Sequence, residues 1–367
     1  MLSLLARDAT GQVTAPDSAA PADTSGPPLT ISGFVTASYT YSTQNTRDAV
    51  AGRFYDRFHD QVMLNAAKVV LERPVRTDRF DAGVRADFLF GQDAKVTQSL
   101  GLDLGDNGDL TQAFVTLNIP AGVGRYVQFK AGKLATLMGI EVIEDVVNPN
   151  LSVANQFVYL ENFTNTGLRV DVKPSAAIDF ELAVFNGWDV VRDNNTQKSF
   201  MGRIGITPTG RTVIGLLGYY GAEQANGTSK RSGGEIVVTQ KLGPKATVYL
   251  QGDYGEEQDL PSPGSKARWW GLGAWGTYDV TPVLGIAVRG DYINDEDGTR
   301  TSGVFGFPPN AGQKFGSGTV TLNIKRWQHV LVRPELRYDR SSLAVFGDPA
   351  TPSKDQVTFA LGTSYMF

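Results

Sequence analysis

The 367-residue chain has no cysteine and only two histidines. It therefore holds no disulfide, no thiolate metal site and no cysteine nucleophile, a composition that fits an oxidising compartment. Its 38 acidic and 34 basic residues leave a net charge of −4. With no dense Lys/Arg run, a nucleic-acid partner is not expected. No stretch approaches the roughly eighteen consecutive apolar residues of a membrane helix. The nucleophile-elbow pattern G-x-S-x-G is absent. His59 lies in a polar segment and His329 in a short link, and both read as solvated histidines rather than general bases. His/Cys clusters are missing, and the run Asp295-Glu296-Asp297 reads as solvated charge rather than a calcium site. No enzyme, metal or cofactor is expected.

The N-terminus gives little. Met1 to Ala6 is too short and too uncharged for a secretory h-region, so no signal peptide is visible. Residues 11–28 are Ala, Pro, Ser, Thr, Asp and Gly with almost nothing to bury, and 1–28 is expected to be a disordered leader.

What is abundant is glycine (41), phenylalanine (19) and tyrosine (13). Glycine weakens helices, and aromatics suit a pleated, half-buried surface. In 77–90, Phe80, Ala82, Val84, Ala86, Phe88 and Phe90 share one face, while Arg79, Asp81, Gly83, Arg85 and Asp87 share the other. That period of two marks a strand with one apolar and one wet side. The same pattern recurs at 31–41, 62–73, 110–119, 124–133, 164–173, 177–187, 199–207 and 211–220. It continues at 232–241, 245–254, 268–279, 283–292, 318–327, 329–338 and 355–367. About sixteen strands are expected, with the phase ambiguous in 62–73, 211–220 and 232–241.

Short links such as Pro74-Val75-Arg76 and Pro208-Thr209-Gly210 alternate with long polar ones such as 42–61, 91–109 and 293–317. This predicts an all-β chain folded as a transmembrane antiparallel up-and-down barrel over 29–367, with tight periplasmic turns and long outer loops. Ten residues, tilted, cross the bilayer. Tyr39, Tyr41, Tyr219, Tyr220, Tyr254, Trp270, Tyr278, Tyr292, Tyr338 and Tyr365 are expected in the interfacial girdles.

At sixteen strands side chains no longer fill the lumen. The inward series carries Lys68, Arg85, Asp87, Gln128, Lys130, Arg169, Asp171, Asp179, Glu181, Arg203, Tyr249, Gln251, Asp253, Arg289, Asp291, Arg333, Glu335 and Arg337. Lys68, Arg85, Lys130, Arg169, Arg203, Arg289 and Arg333 fall near mid-strand. They form either a basic belt or, slightly favoured, pairs with acids two residues away or one strand over. Together with Glu335 and Arg337 they are the expected channel lining.

The longest and most apolar link is 134–163. Glu141, Glu144, Asp145 and Asn148 follow the i, i+3, i+4, i+7 spacing of one helix face. The loop is expected to fold into the barrel as a constriction, presenting these four side chains to basic wall residues. The alternative is packing on the outer rim or on a neighbouring subunit.

Three stretches carry a family resemblance. Gly132-Lys133-Leu134-Ala135-Thr136-Leu137-Met138-Gly139-Ile140-Glu141 resembles the "GKF-x-T-x-x-G-x-E" stretch of the OmpL-like β-barrel porins, with Leu134 in place of an aromatic. Asn148-Pro149-Asn150 follows, and Phe163-Thr164-Asn165-Thr166-Gly167-Leu168-Arg169-Val170 resembles the "T-x-TG-(V/L)-R" strand. Arg333-Pro334-Glu335-Leu336-Arg337-Tyr338-Asp339 resembles "RPE-x-RYD". The chain is more loosely similar to the phosphate-selective porins, but the lysine cluster those use for anions is absent from its loop.

The resemblance implies a Gram-negative outer-membrane porin for passive diffusion of small hydrophilic solutes and ions. Tyr365 and Phe367 resemble the C-terminal signal read by the outer-membrane assembly machinery. Expected partners are outer-membrane lipid and lipopolysaccharide, that machinery, and a possible homotrimer. The alternative function is a non-transporting barrel serving as adhesin, scaffold or part of an envelope assembly. Loop aromatics Phe54, Tyr55, Phe58, Phe305 and Phe307 would then form a partner surface or else pack over the mouth.

Overall fold

The computed structural model describes residues 26–44, 49–309 and 311–367. Residues 1–25 of the expected leader lie outside this set. Sixteen strands form one closed barrel in which each pairs antiparallel with its sequence neighbours. They are β1 (Thr30–Ser42), β2 (Gln61–Arg73), β3 (Asp81–Phe90), β4 (Gly108–Pro120), β5 (Tyr126–Ala135), β6 (Thr164–Lys173), β7 (Ile178–Trp188) and β8 (Ser199–Thr209). The circuit continues with β9 (Thr212–Ala222), β10 (Lys230–Leu242), β11 (Ala246–Gln258), β12 (Lys266–Thr281), β13 (Leu284–Asp295), β14 (Gln313–Trp327), β15 (Val330–Ser341) and β16 (Asp355–Met366). β1 closes on β16 with Phe34 opposite Met366 and Ser42 opposite Thr358. No helix among the described residues is long and apolar enough to cross a membrane; the strands cross it.

All sixteen expected strands are present, with shifted ends. Thr77–Phe80 belongs to the β2–β3 turn rather than to β3. The Asp81 carboxylate accepts the Arg76 N–H at 2.8 Å and pairs with Arg73 at 3.2 Å, so pairing starts one turn later. At the other rim β11, β12 and β13 run past their expected ends, to Gln258, from Lys266 and to Asp295.

Alternation decides which face meets which solvent. Ile31, Val62, Leu64, Val84, Leu182 and Phe359 are exposed outside, although a soluble protein would bury them. The outward apolar belt fits lipid. Tyr41, Tyr220, Tyr254, Trp270, Tyr278, Tyr292, Tyr338 and Tyr365 are exposed near strand ends, and Tyr39 is half-buried. Tyr219 departs from the girdle expectation. It points inward and packs on Trp188, ring centroids 4.9 Å apart, because its phase is opposite to that of Tyr220.

The core lies inside the barrel, where loop side chains pack against one another and against inward strand side chains. Phe54 and Tyr55 of the first loop pack with Val153 and Phe157 of the 134–163 loop. Phe307 of the 296–312 loop packs with Tyr159, Trp269 and Phe315. Of the outer-loop aromatics offered as a partner surface, Phe54, Tyr55, Phe305 and Phe307 pack inside the mouth, while Phe58 is half-buried beside Arg57. Removing their rings from water stabilises this plug by about 1.5–3 kcal/mol per side chain.

Candidate functional site

The 134–163 loop enters the barrel and is tied off at its neck. The Thr136 N–H donates to the Phe163 carbonyl at 3.0 Å, and Thr136 Oγ1 meets Asn162 Oδ1 at 2.8 Å. From there it crosses the lumen to the β10–β2 side of the wall. Gly139, at φ +84°, turns the chain; a Cβ there would lie 2.1 Å from Glu161 Oε2. The Gly139 and Ile140 N–H groups donate to Glu235 on β10 (2.8 Å) and Gln251 on β11 (3.1 Å).

The expected constriction residues have well-defined partners. Glu141 accepts from Arg289 on β13 and Trp275 on β12, both at 2.9 Å, and from the Ala154 N–H at 2.5 Å. Glu144 pairs with Lys68 on β2, which also pairs with Asp87 on β3 at 2.9 Å. Asp145 pairs with Arg333 on β15 and accepts from Thr36 on β1 at 3.2 Å. Asn148 faces its own loop, clasping the Val142 N–H (2.9 Å) and carbonyl (2.8 Å).

That clasp explains why no helix joins these four residues. The segment closes as a hairpin turn, with one 3-10 turn at Asp145–Val147. The loop's α-helix is instead Asn155–Tyr159, five residues long. The backbone before it is held from the wall: Glu335 takes the Leu151 and Ser152 N–H groups at 2.8 and 3.1 Å. Arg337 donates to the Val153 carbonyl at 2.7 Å, and Asp291 takes the Asn155 N–H at 2.9 Å.

The wall thus divides in two. Lys68, Arg289, Arg333, Glu335 and Arg337 face inward but lie beneath the loop, each no more than 5 % exposed. Arg85, Lys130, Arg169 and Arg203 on β3, β5, β6 and β8 stay partly exposed. Each pairs with wall acids: Arg85 with Asp87 (2.7 Å), Lys130 and Arg169 with Asp171 (both 2.7 Å), and Arg203 with Asp179 (3.0 Å) and Glu181 (2.8 Å). Between this wall and the loop lies a cavity of about 40 Å³ lined by Thr111, Gln112, Thr136, Val142, Glu144 and Phe163, among others.

One cluster had no local signal in the sequence. Glu161 from the loop, Glu235 and Asp253 bring carboxylate oxygens within 4.8 Å of one another, all buried. The Gln251 amide nitrogen bridges them at 2.6, 3.2 and 3.1 Å. Burial first, then the neighbouring Asp253 charge, pushes the Glu161 carboxyl well above the ordinary carboxylate range. Gln251 and Asp253 belong to the inward series; Glu161 and Glu235 have no such mark.

His59 Nδ1 accepts the Ser42 N–H at 3.0 Å, and His329 sits exposed in the β14–β15 turn. Asp295 accepts the Thr299, Arg300 and Thr301 N–H groups within 3.1 Å, so it organises its own loop.

No curated protein matches the sequence. Among solved structures, the chain is similar to OmpT, an outer membrane protein of Vibrio cholerae in its trimer form. The TM-score is 0.64 at 12% identity, covering 93% of this chain and 99% of that one. The anion-selective porin of Comamonas acidovorans gives 0.62 at 10% identity, with the same coverage. The outer membrane channel DcaP of Acinetobacter baumannii gives 0.59 at 12%, covering 94% and 99%. At such identities the likeness shows the fold. The family model of "Putative beta-barrel porin-2, OmpL-like" matches residues 28–367, and the chain belongs to that family of outer-membrane porin barrels.

Proposed function

We propose that the protein passes small hydrophilic solutes and ions by passive diffusion, with the 134–163 loop as its constriction. The observation that carries this reading is the division of the wall. One half is bound by the loop, and the other leaves Arg85, Lys130, Arg169 and Arg203 partly exposed. Water in a narrow passage would solvate these partly exposed charges, whereas the charges under the loop are dry and held by ion pairs. Their acids leave the passage close to neutral, so selectivity is weak for charge and set mainly by size. In this reading Glu141, Glu144 and Asp145 shape the constriction by pinning the loop, Asn148 by closing its hairpin.

Single-channel conductance in a planar bilayer under a salt gradient tests it. Steady open steps with a small reversal potential are expected. Deletion of 137–150 should raise conductance several-fold; unchanged conductance would sink the constriction role. Silence from a folded barrel would favour the scaffold or adhesin reading, which the packing of three outer loops into the mouth supports.

Two further assignments accompany the pore. Tyr365 and Phe367 are both 51 % exposed beside the closing seam, where assembly machinery can reach them. The outward faces of β4–β9 form an apolar saddle of about 1020 Å³ that includes Leu117, Phe129, Leu168 and Phe200, a fitting contact for a homotrimer.

A further inference from the structure

Where the 134–163 loop returns to the wall, buried oxygens outnumber the donors that face them. Glu161 comes from the loop, Glu235 from β10 and Asp253 from β11, all buried and, among the described residues, without a Lys or Arg partner. The one amide nitrogen that all three share, Gln251 Nε2, has two hydrogens for three carboxylates. Glu161 Oε2 and Asp253 Oδ1 are left buried with no hydrogen-bond partner. Such orphaned oxygens are costly unless something positive meets them. A neutral side chain points to the same place. Gln156, on the loop's short helix, is fully buried, its carboxamide rests on Asp253 Oδ2, and its own Oε1 has no partner. A half-turn of that carboxamide exchanges nitrogen and oxygen and brings Gln156 Oε1 onto the Asp253 carboxylate. Two missing side chains make the room: a Cβ at Gly139 would collide with Glu161 Oε2, and one at Gly273 with Gln156 Oε1. Gly273 lies opposite Gln251 in the β11–β12 register, beside the acids.

We infer that Glu161, Glu235, Asp253 and Gln156 bind one calcium ion. The donor set is oxygen alone, carboxylate and carboxamide, which selects a hard cation over zinc or copper. Calcium takes six to eight oxygens at about 2.3–2.6 Å, so ligands facing each other across it stand roughly 4.6–5.2 Å apart. The three carboxylates, with oxygens within 4.8 Å of one another, already span that distance. Magnesium, at about 2.0–2.1 Å, needs a tighter octahedron. Two positive charges among three negative ones leave a single excess charge, which the Gln251 amide can solvate. Bound there, the ion ties the returning end of the loop to β10 and β11. Metal and proton compete for the same oxygens, so a calcium-free barrel keeps the protonated cluster. The site stands whether or not the barrel conducts, and its test therefore reads binding.

Equilibrium dialysis of radiolabelled calcium against the full barrel, folded in detergent, stripped with chelator and held at neutral pH, tests it. The expected result is one calcium retained per barrel, with magnesium competing at least about tenfold more weakly. E235Q and D253N should each weaken calcium about tenfold or more, and Q156A, which removes no charge, about threefold or more. E296Q, in the exposed acidic run of the β13–β14 loop, should leave binding as it is. No calcium retained at millimolar concentration, equal affinity for magnesium, or full affinity in folded E235Q and D253N would overturn the inference. Should the two acid variants not fold, Q156A decides, and full affinity there overturns it.

Discussion

Glu161 shows how much one side chain can owe to its surroundings. It is 3 % exposed, and it shares Gln251 with two more buried acids and, among the described residues, no cation. Its carboxyl is held well above the ordinary range, so the folded barrel keeps the proton longer than the unfolded chain does. The sign follows from linkage: its contribution to stability is fully present below the ordinary carboxylate value. It is lost as pH rises towards the raised one. Glu161→Gln keeps an acceptor for Gln251 and removes the charge. It should stabilise the barrel near neutral pH by on the order of 1 kcal/mol and flatten this part of the pH dependence. Unfolding in detergent, followed by gel mobility against temperature at several pH values, checks it. A destabilised variant at neutral pH would mean that the ionised carboxylate is needed.

At the scale of the element, the inserted loop is held by ion pairs more than by its own secondary structure. Arg333 and Asp145 are the clearest pair, both buried, with Arg333 Nη1 also donating to the Asp145 carbonyl at 2.7 Å. Breaking one partner of such a pair typically costs about 3–5 kcal/mol, because the other charge is left buried and alone. Arg333→Leu should therefore lower stability strongly, and adding Asp145→Leu should recover part of the loss. A double-mutant cycle measures the coupling; strictly additive losses would show that the pair does not act as a unit. The spacing of Glu141, Glu144, Asp145 and Asn148 suggests a helix, and Asn148 prevents it by closing a hairpin on Val142. An asparagine clasp looks the same in sequence as an asparagine on a helix face. The distinction lies in where Pro149 and Asn150 must go next, towards Asn323 and Thr321 on β14.

At the scale of the whole molecule, the docked loop and the free wall share one barrel, and charge is balanced along the proposed passage. Arg203 faces Asp179 and Glu181 at 3.0 and 2.8 Å, all partly exposed. Arg203→Gln leaves two acids facing the passage and should move the reversal potential towards cation preference without altering the fold. A reversal potential unchanged from the parent would place the conducting path elsewhere.

Strand number, inside and outside, and the sense of the loops were determined by the sequence alone. Period two and turn chemistry are local, and a strand must choose lipid or lumen residue by residue. The phase stayed ambiguous in 62–73, 211–220 and 232–241, as at Tyr219 and Tyr220, where adjacent aromatics do not declare which of them faces lipid. Tertiary structure alone decided which inward charges stay partly exposed and which hold the loop. Arg203 and Arg289 read alike along their strands, yet Arg289 meets a glutamate 148 residues away while Arg203 pairs within its own sheet. Contacts at such separations leave no periodicity in the chain. They exist once the barrel has closed and given the loop a wall to dock on.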